Sequence, residues 1–163
     1  MEPYIPPKRR AVLGLAALCA AVVALFLLLL VHGLRAPRPI RAEDYPEPVP
    51  ADLLWDITAC ERAGGMLTVE GWACVRQQRF EAVDIRAAVL AADGAGWTLP
   101  TVLREDAAAK QAIGDVVFGE YGGFTSRCAE KALPAGSYEL CIAYRCNGHD
   151  TLVRTGIFVE VGP

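Results

Sequence analysis

Residues 11–31 read AVLGLAALCAAVVALFLLLLV, twenty-one consecutive positions without a charge, and no other feature restricts the fold of this chain as much. At ~1.5 Å per helical residue the run is about 30 Å long, the thickness of the hydrocarbon core of a bilayer. A helix of that length inside a soluble protein normally carries a polar side, and this one has none. One membrane-spanning helix is therefore expected, with residues 1–10 as its tail. A cleaved signal peptide is the competing reading. The segment that follows, HGLRAPRP, has no A-x-A pattern, and its only suitably placed small residue, Ala36, precedes Pro37. Cys19 lies inside the run behind Leu18, where a lipoprotein signal would need a small residue.

Orientation follows from flanking charge. Lys8, Arg9 and Arg10 abut one end of the run, whereas Arg35, Arg38 and Arg41 beyond the other end are diluted by Glu43, Asp44 and Glu47. The positive-inside bias then favours a cytoplasmic N-terminus and an extracytoplasmic remainder, a setting in which cysteines can form disulfides. Residues 32–51 are rich in proline, with five in APRPIRAEDYPEPVP at 36–50. They are expected to form an extended spacer of roughly 45 Å.

About 110 residues then remain, enough for one domain with one core. From residue 51 onward, ten Lys and Arg face fifteen Asp and Glu, a net charge of −5. The basic residues Arg62, Arg86, Lys110 and Arg154 stand singly among carboxylates, so nucleic acid is not an expected partner. Short alternating segments separated by glycine turns replace any helical period. Strands are expected at 53–60, 66–74, 82–92, 97–103, 124–131, 137–146 and 151–161. Residues 104–113, REDAAAKQAI, are rich in helix formers with acids in the first turn and predict one short helix. Asn147-Gly148 supplies two positive-φ positions for a type I′ hairpin between the last two strands. The expectation for residues 52–163 is an all-β fold: an immunoglobulin-like β-sandwich of about seven strands with one short helix, preceded by a single transmembrane α-helix.

Four phrases occur in this order: VEGWA at 69–73, LPTVLREDAAA at 99–109, YGGF at 121–124 and LPAGSYELCIAY at 133–144. In them the domain resembles bacterial accessory β-sandwich modules associated with cell-envelope polysaccharide proteins, such as membrane glycosyltransferases. That family commonly has proline where this chain has Glu105, and commonly lacks these cysteines. The resemblance implies a module that binds, positions or spaces something at the cell surface, and it supplies no catalytic residue.

Chemistry-bearing residues are few. His149 stands near Cys146 and Asp150, but the spacing is not a zinc pattern and no second CxxC completes it. Glu105 and Asp106 are adjacent on a predicted helix start, where acids already serve the dipole and point apart. The glycine pairs lack the lysine of a phosphate loop. No catalytic residue, metal or cofactor is therefore assigned. Of the five cysteines beyond Cys19, Cys74 and Cys146 are expected at the same pole of alternating strands and form the candidate disulfide. A bond of Cys128 to Cys141 or to Cys60 is the weaker alternative, and one thiol is left over. Trp72, Trp97 and Tyr121 form the candidate binding surface, with Trp72 either exposed or covered by another element, because alternation points it away from Val69, Gly71 and Ala73.

These readings describe a non-catalytic, single-pass membrane protein, held in the bilayer by residues 11–31. Its extracytoplasmic β-sandwich binds or scaffolds a cell-envelope component such as a glycan. The alternative is an accessory subunit that docks a larger membrane protein through its helix, since the small residues of LGLAALCAA permit close helix packing.

Overall fold

The computed structural model describes residues 9–76, 83–113, 122–146 and 148–162. The chain divides into two units, Met1–Arg35 and Ala36–Pro163.

The first unit holds one helix, α1 (Arg9–Arg35). Its segment Val12–Val31 has a mean hydropathy of 3.0, and its side chains are exposed throughout. It is long and apolar enough to cross a bilayer.

The second unit is mostly β. Its strands are β1 (Arg38–Arg41), β2 (Leu53–Ala63), β3 (Met66–Val75), β4 (Val83–Leu90), β5 (Ala95–Thr98), β6 (Thr101–Arg104), β7 (Gly123–Ala129), β8 (Gly136–Cys146) and β9 (Thr151–Val161). A short helix, α2 (Ala107–Ile113), lies between β6 and β7. Five strands form one antiparallel sheet in the order β1-β5-β4-β8-β9, and four form another in the order β2-β3-β7-β6. Period-two alternation places Leu67, Val69 and Ala73 of β3, Phe124 of β7, Ile85, Ala87 and Val89 of β4, and Leu140, Ile142 and Tyr144 of β8 in one buried layer between the sheets. Gly71 is part of this packing. A Cβ there would stand 2.5 Å from the Asp56 carbonyl and 2.9 Å from the tip of the Phe124 ring, so the phenyl group occupies the space a side chain would need.

Several expected elements form as read. The β2–β3 hairpin turns through Gly64 and Gly65, both at positive φ. The β8–β9 hairpin has Gly148 at φ 85°, while Asn147 lies outside the described residues.

Three expectations change. The strand expected at 97–103 is broken: β5 belongs to the five-stranded sheet and β6 to the four-stranded one. Pro100 lies at the break and has no N–H to continue a ladder, while the Leu99 amide donates to Ala87 on one side and the Pro100 carbonyl accepts from Arg127 on the other. The helix starts at Ala107 rather than 104, because Asp106 caps it: its Oδ1 accepts from the Ala108 amide at 2.9 Å and the Ala109 amide at 3.1 Å. The proline-rich segment is not a free strut. Arg38–Arg41 pairs as an edge strand with β5, a 3-10 turn follows at Ala42–Asp44, and Tyr45 is 8% exposed. Proline is tolerated at position 39 because an edge strand leaves one row of N–H positions unpaired.

Candidate functional site

The outer face of the five-stranded sheet should be polar if it met only water. Instead β4 and β8 are apolar on both faces at their centres: Ala88, Leu90, Cys141 and Ala143 point away from the main core yet are buried. What covers them is the segment after the apolar helix. Ile40, Ala42 and Tyr45 pack onto this second, smaller cluster.

Arg145 fastens the cover. Its guanidinium lies over the Tyr45 ring, 4.4 Å from the centroid. It donates from Nε to Asp150 Oδ1 at 2.7 Å and from Nη2 to the Asp44 carbonyl at 3.2 Å. Glu47 adds a second fastening. Its amide donates to the Asp150 carbonyl at 3.3 Å, and its Oε2 accepts from the Asp150 amide at 3.0 Å. The hydrogen bond to Asp150 raises the Arg145 pKa further, so it is cationic at any working pH. Burial pushes the Tyr45 phenol up, against the opposing pull of Arg145.

The cover does not fill the space beneath it. A cleft of about 190 Å³ remains, bounded by Arg38, Pro39, Ile40 and Tyr45 from the covering segment and by Asp84, Arg86, Thr98, Ala143 and Arg145 from the sheet. Its floor is small because Ala143 lies opposite Arg86, and Thr98 opposite both Ala88 and Arg38. Its polar lining holds three guanidinium groups against one carboxylate, Asp84, which accepts from Arg86 Nε at 2.5 Å. With Asp150 paired to Arg145 at the rim, three arginines stand against two carboxylates, so this cleft of an acidic domain keeps a net charge of +1.

The residues singled out from sequence lie elsewhere and apart. Trp72 is buried at 6% on the outer face of the four-stranded sheet, covered by α2, in a cluster with Cys74, Ala109 and Leu54. Trp97 is half-buried against the main core and meets Tyr138 edge-on, with centroids 5.7 Å apart. The two tryptophans do not share a surface, and Tyr121 lies outside the described residues. The Cys74–Cys146 disulfide is not present: all six cysteines are free. The reason is facing rather than height along the strands. Cys74 points outward under α2, while Cys146 points into the layer between the sheets. Cys146, His149 and Asp150 do not converge either, since Asp150 serves Arg145 and His149 Nδ1 stands 3.8 Å from Glu47. Glu105 pairs with Lys110 and Asp106 with Arg104, so that acidic pair has structural partners. Among the described residues no group of three or more metal-ligating side chains is assembled.

Sequence reasoning missed Arg38, Tyr45 and Arg145 as members of one site. The available signal was the continuous apolar run of β4, AAVL, and of β8, LCIAY, where a one-sided strand would alternate. Compared with known protein families, with curated proteins and with solved structures, the chain matches none of them.

Proposed function

We propose that this chain is a non-catalytic, single-pass membrane module whose extracytoplasmic domain, an immunoglobulin-like β-sandwich, binds or scaffolds a cell-envelope component. The observation that carries the reading is the pairing of one span-length apolar helix with a two-sheet domain that carries an arginine-lined cleft. The nine strands in two antiparallel layers support the sandwich reading, with Pro100 marking where the chain passes from one sheet to the other. The carboxylates nearest the LREDAAA phrase support the non-catalytic reading. Asp106 caps α2 and pairs with Arg104, which also reaches Glu70 at 3.4 Å. A general acid or base needs a carboxyl group available to substrate, and these are committed to holding β6, β3 and α2 together.

Cys60 makes the orientation testable, because it is exposed on β2 whereas Cys74, Cys128, Cys141 and Cys146 are buried. In intact cells a membrane-impermeant maleimide should label the wild-type chain and not Cys60→Ser. Labelling only after lysis overturns the extracytoplasmic placement. Affinity purification of the full-length protein from its own membrane then addresses the binding role. Saturable retention of an envelope polymer by the recovered protein is the expected result. A stoichiometric membrane protein in its place transfers the function to the accessory-subunit reading.

A further inference from the structure

We propose that the cleft under the covering segment is a binding site for one compact oxyanion, the size of a phosphate group, held by Arg38, Arg86 and Arg145. The volume admits the ligand. About 190 Å³ is ample for one tetrahedral or carboxylate group with residual hydration, so charge rather than volume selects what the cleft holds.

Donor arithmetic sets the chemistry. Each guanidinium has five N–H donors and no acceptor. The hydrogen bonds described above use one donor on Arg86 and two on Arg145, and Arg38 makes no ion pair among the described residues. Charge-assisted donors of three arginines therefore remain at a concavity whose two carboxylates, Asp84 and Asp150, are turned toward Arg86 and Arg145. The Thr98 hydroxyl, 6% exposed on the floor, is occupied by the Arg38 carbonyl at 3.4 Å and so helps to place β1 rather than the anion. Arg145 has two roles. Stacked on Tyr45, it cannot swing away without loosening the segment that forms one wall of the cleft, which preorganises its remaining donors.

This inference deepens the binding function proposed above and rests on it only for the source of the anion. Phosphate binding is measured separately from partner capture, so either can fail alone. The experiment is calorimetric titration of inorganic phosphate into the full-length protein in phosphatidylcholine nanodiscs, at constant ionic strength. One saturable site with a Kd of about 1 mM or tighter is expected. Arg38→Gln and Arg86→Gln should each weaken it about tenfold, whereas Arg127→Gln, on the other sheet, should leave it unchanged. Arg38 is exposed and joins β5 through its backbone, so Arg38→Gln carries the test if Arg86→Gln unfolds. Nanodiscs containing phosphatidylglycerol separate the sources. A tenfold loss of apparent affinity for free phosphate assigns the site to lipid headgroups, and no change assigns it to a soluble or polymer-borne anion. No saturable heat, or equal weakening by Arg127→Gln, overturns the proposal.

Discussion

Replacing Tyr45 by alanine separates two pictures of residues 36–50. In a free proline-rich spacer, a tyrosine is solvated and its loss changes stability by no more than ~0.5 kcal/mol. In the structure its ring is 8% exposed and packs on Ala88, Leu90, Cys141 and Ala143, with the Arg145 guanidinium 4.4 Å from its centroid. Truncating a buried aromatic costs about 3–5 kcal/mol in a closed core. The lower end applies here, because the covering segment can settle inward onto the alanines. The cation–π contact adds about 0.5–1 kcal/mol, discounted because the Arg145 side chain is 43% exposed. A total of about 3.5 kcal/mol in a domain of roughly 130 residues corresponds to a fall in Tm on the order of 10 °C. The assay is thermal unfolding of full-length protein in detergent, followed by near-ultraviolet circular dichroism, with limited proteolysis below the transition. Tyr45→Phe keeps the packing and should stay close to wild type. Tyr45→Ala should melt earlier and be cut within residues 36–50. A Tm within about 2 °C of wild type would mean that this segment is not part of the cooperative unit, and the assignment of the cleft wall would fall with it.

Other consequences are as direct. Burial pushes the Cys74 and Cys141 thiols up to about 12 and Cys146 to about 11. The unfolded chain releases these protons near pH 9 while the folded one retains them, so their contribution is intact below that pH and is lost as pH rises from about 9 toward 11–12. The decline is on the order of 1 kcal/mol per pH unit for each thiol. Urea denaturation at stepped pH should show it, with a shallower slope in Cys141→Ala; a wild-type midpoint unchanged up to pH 10.5 contradicts it. Gly71→Ala should destabilise by about 1–3 kcal/mol, since the new methyl meets the Asp56 carbonyl and Phe124, and a neutral urea midpoint would show that the sheets can part at no cost. Asp106→Ala should cost about 1 kcal/mol and Asp106→Asn less, read by the same midpoint; equal losses would place the effect in the Arg104 ion pair rather than in the cap of α2.

How far the fold could be read from sequence depended on whether each segment's neighbours were local. The β2–β3 and β8–β9 hairpins were legible because turn chemistry and alternation lie side by side in the chain: Gly64-Gly65 in one case, Gly148 in the other. The break at Pro100 was written in the sequence, but alternation runs through it. What ends β5 is pairing of Leu99 with Ala87 and of Pro100 with Arg127, partners more than ten residues away. The cysteines show a different limit. Strand direction brings positions 74 and 146 to the same pole, but a disulfide also needs convergent Cβ vectors, and period two alone does not say which face of each strand looks inward when both faces are apolar.

Most of the candidate site was hidden for one reason. A proline-rich segment after an apolar helix has no periodicity of its own, so composition favours a solvated strut. The contrary signal was carried by its future partners. β4 and β8 carry Ala88, Leu90, Cys141 and Ala143 where a solvent-facing row would hold polar residues, and an apolar outer face requires a cover. Tyr45 is the bulkiest residue of residues 36–50, and Arg145 is a cation at the end of a strand whose outer row holds Cys141 and Ala143 at its centre. Taken together, an uncovered sheet face, one large aromatic upstream and one arginine able to stack on it already specify where that segment must lie. The cleft then follows from a mismatch in size: alanines make room for the cover, one tyrosine and one isoleucine cannot fill all of that room, and the arginines at its rim determine which charge can enter it.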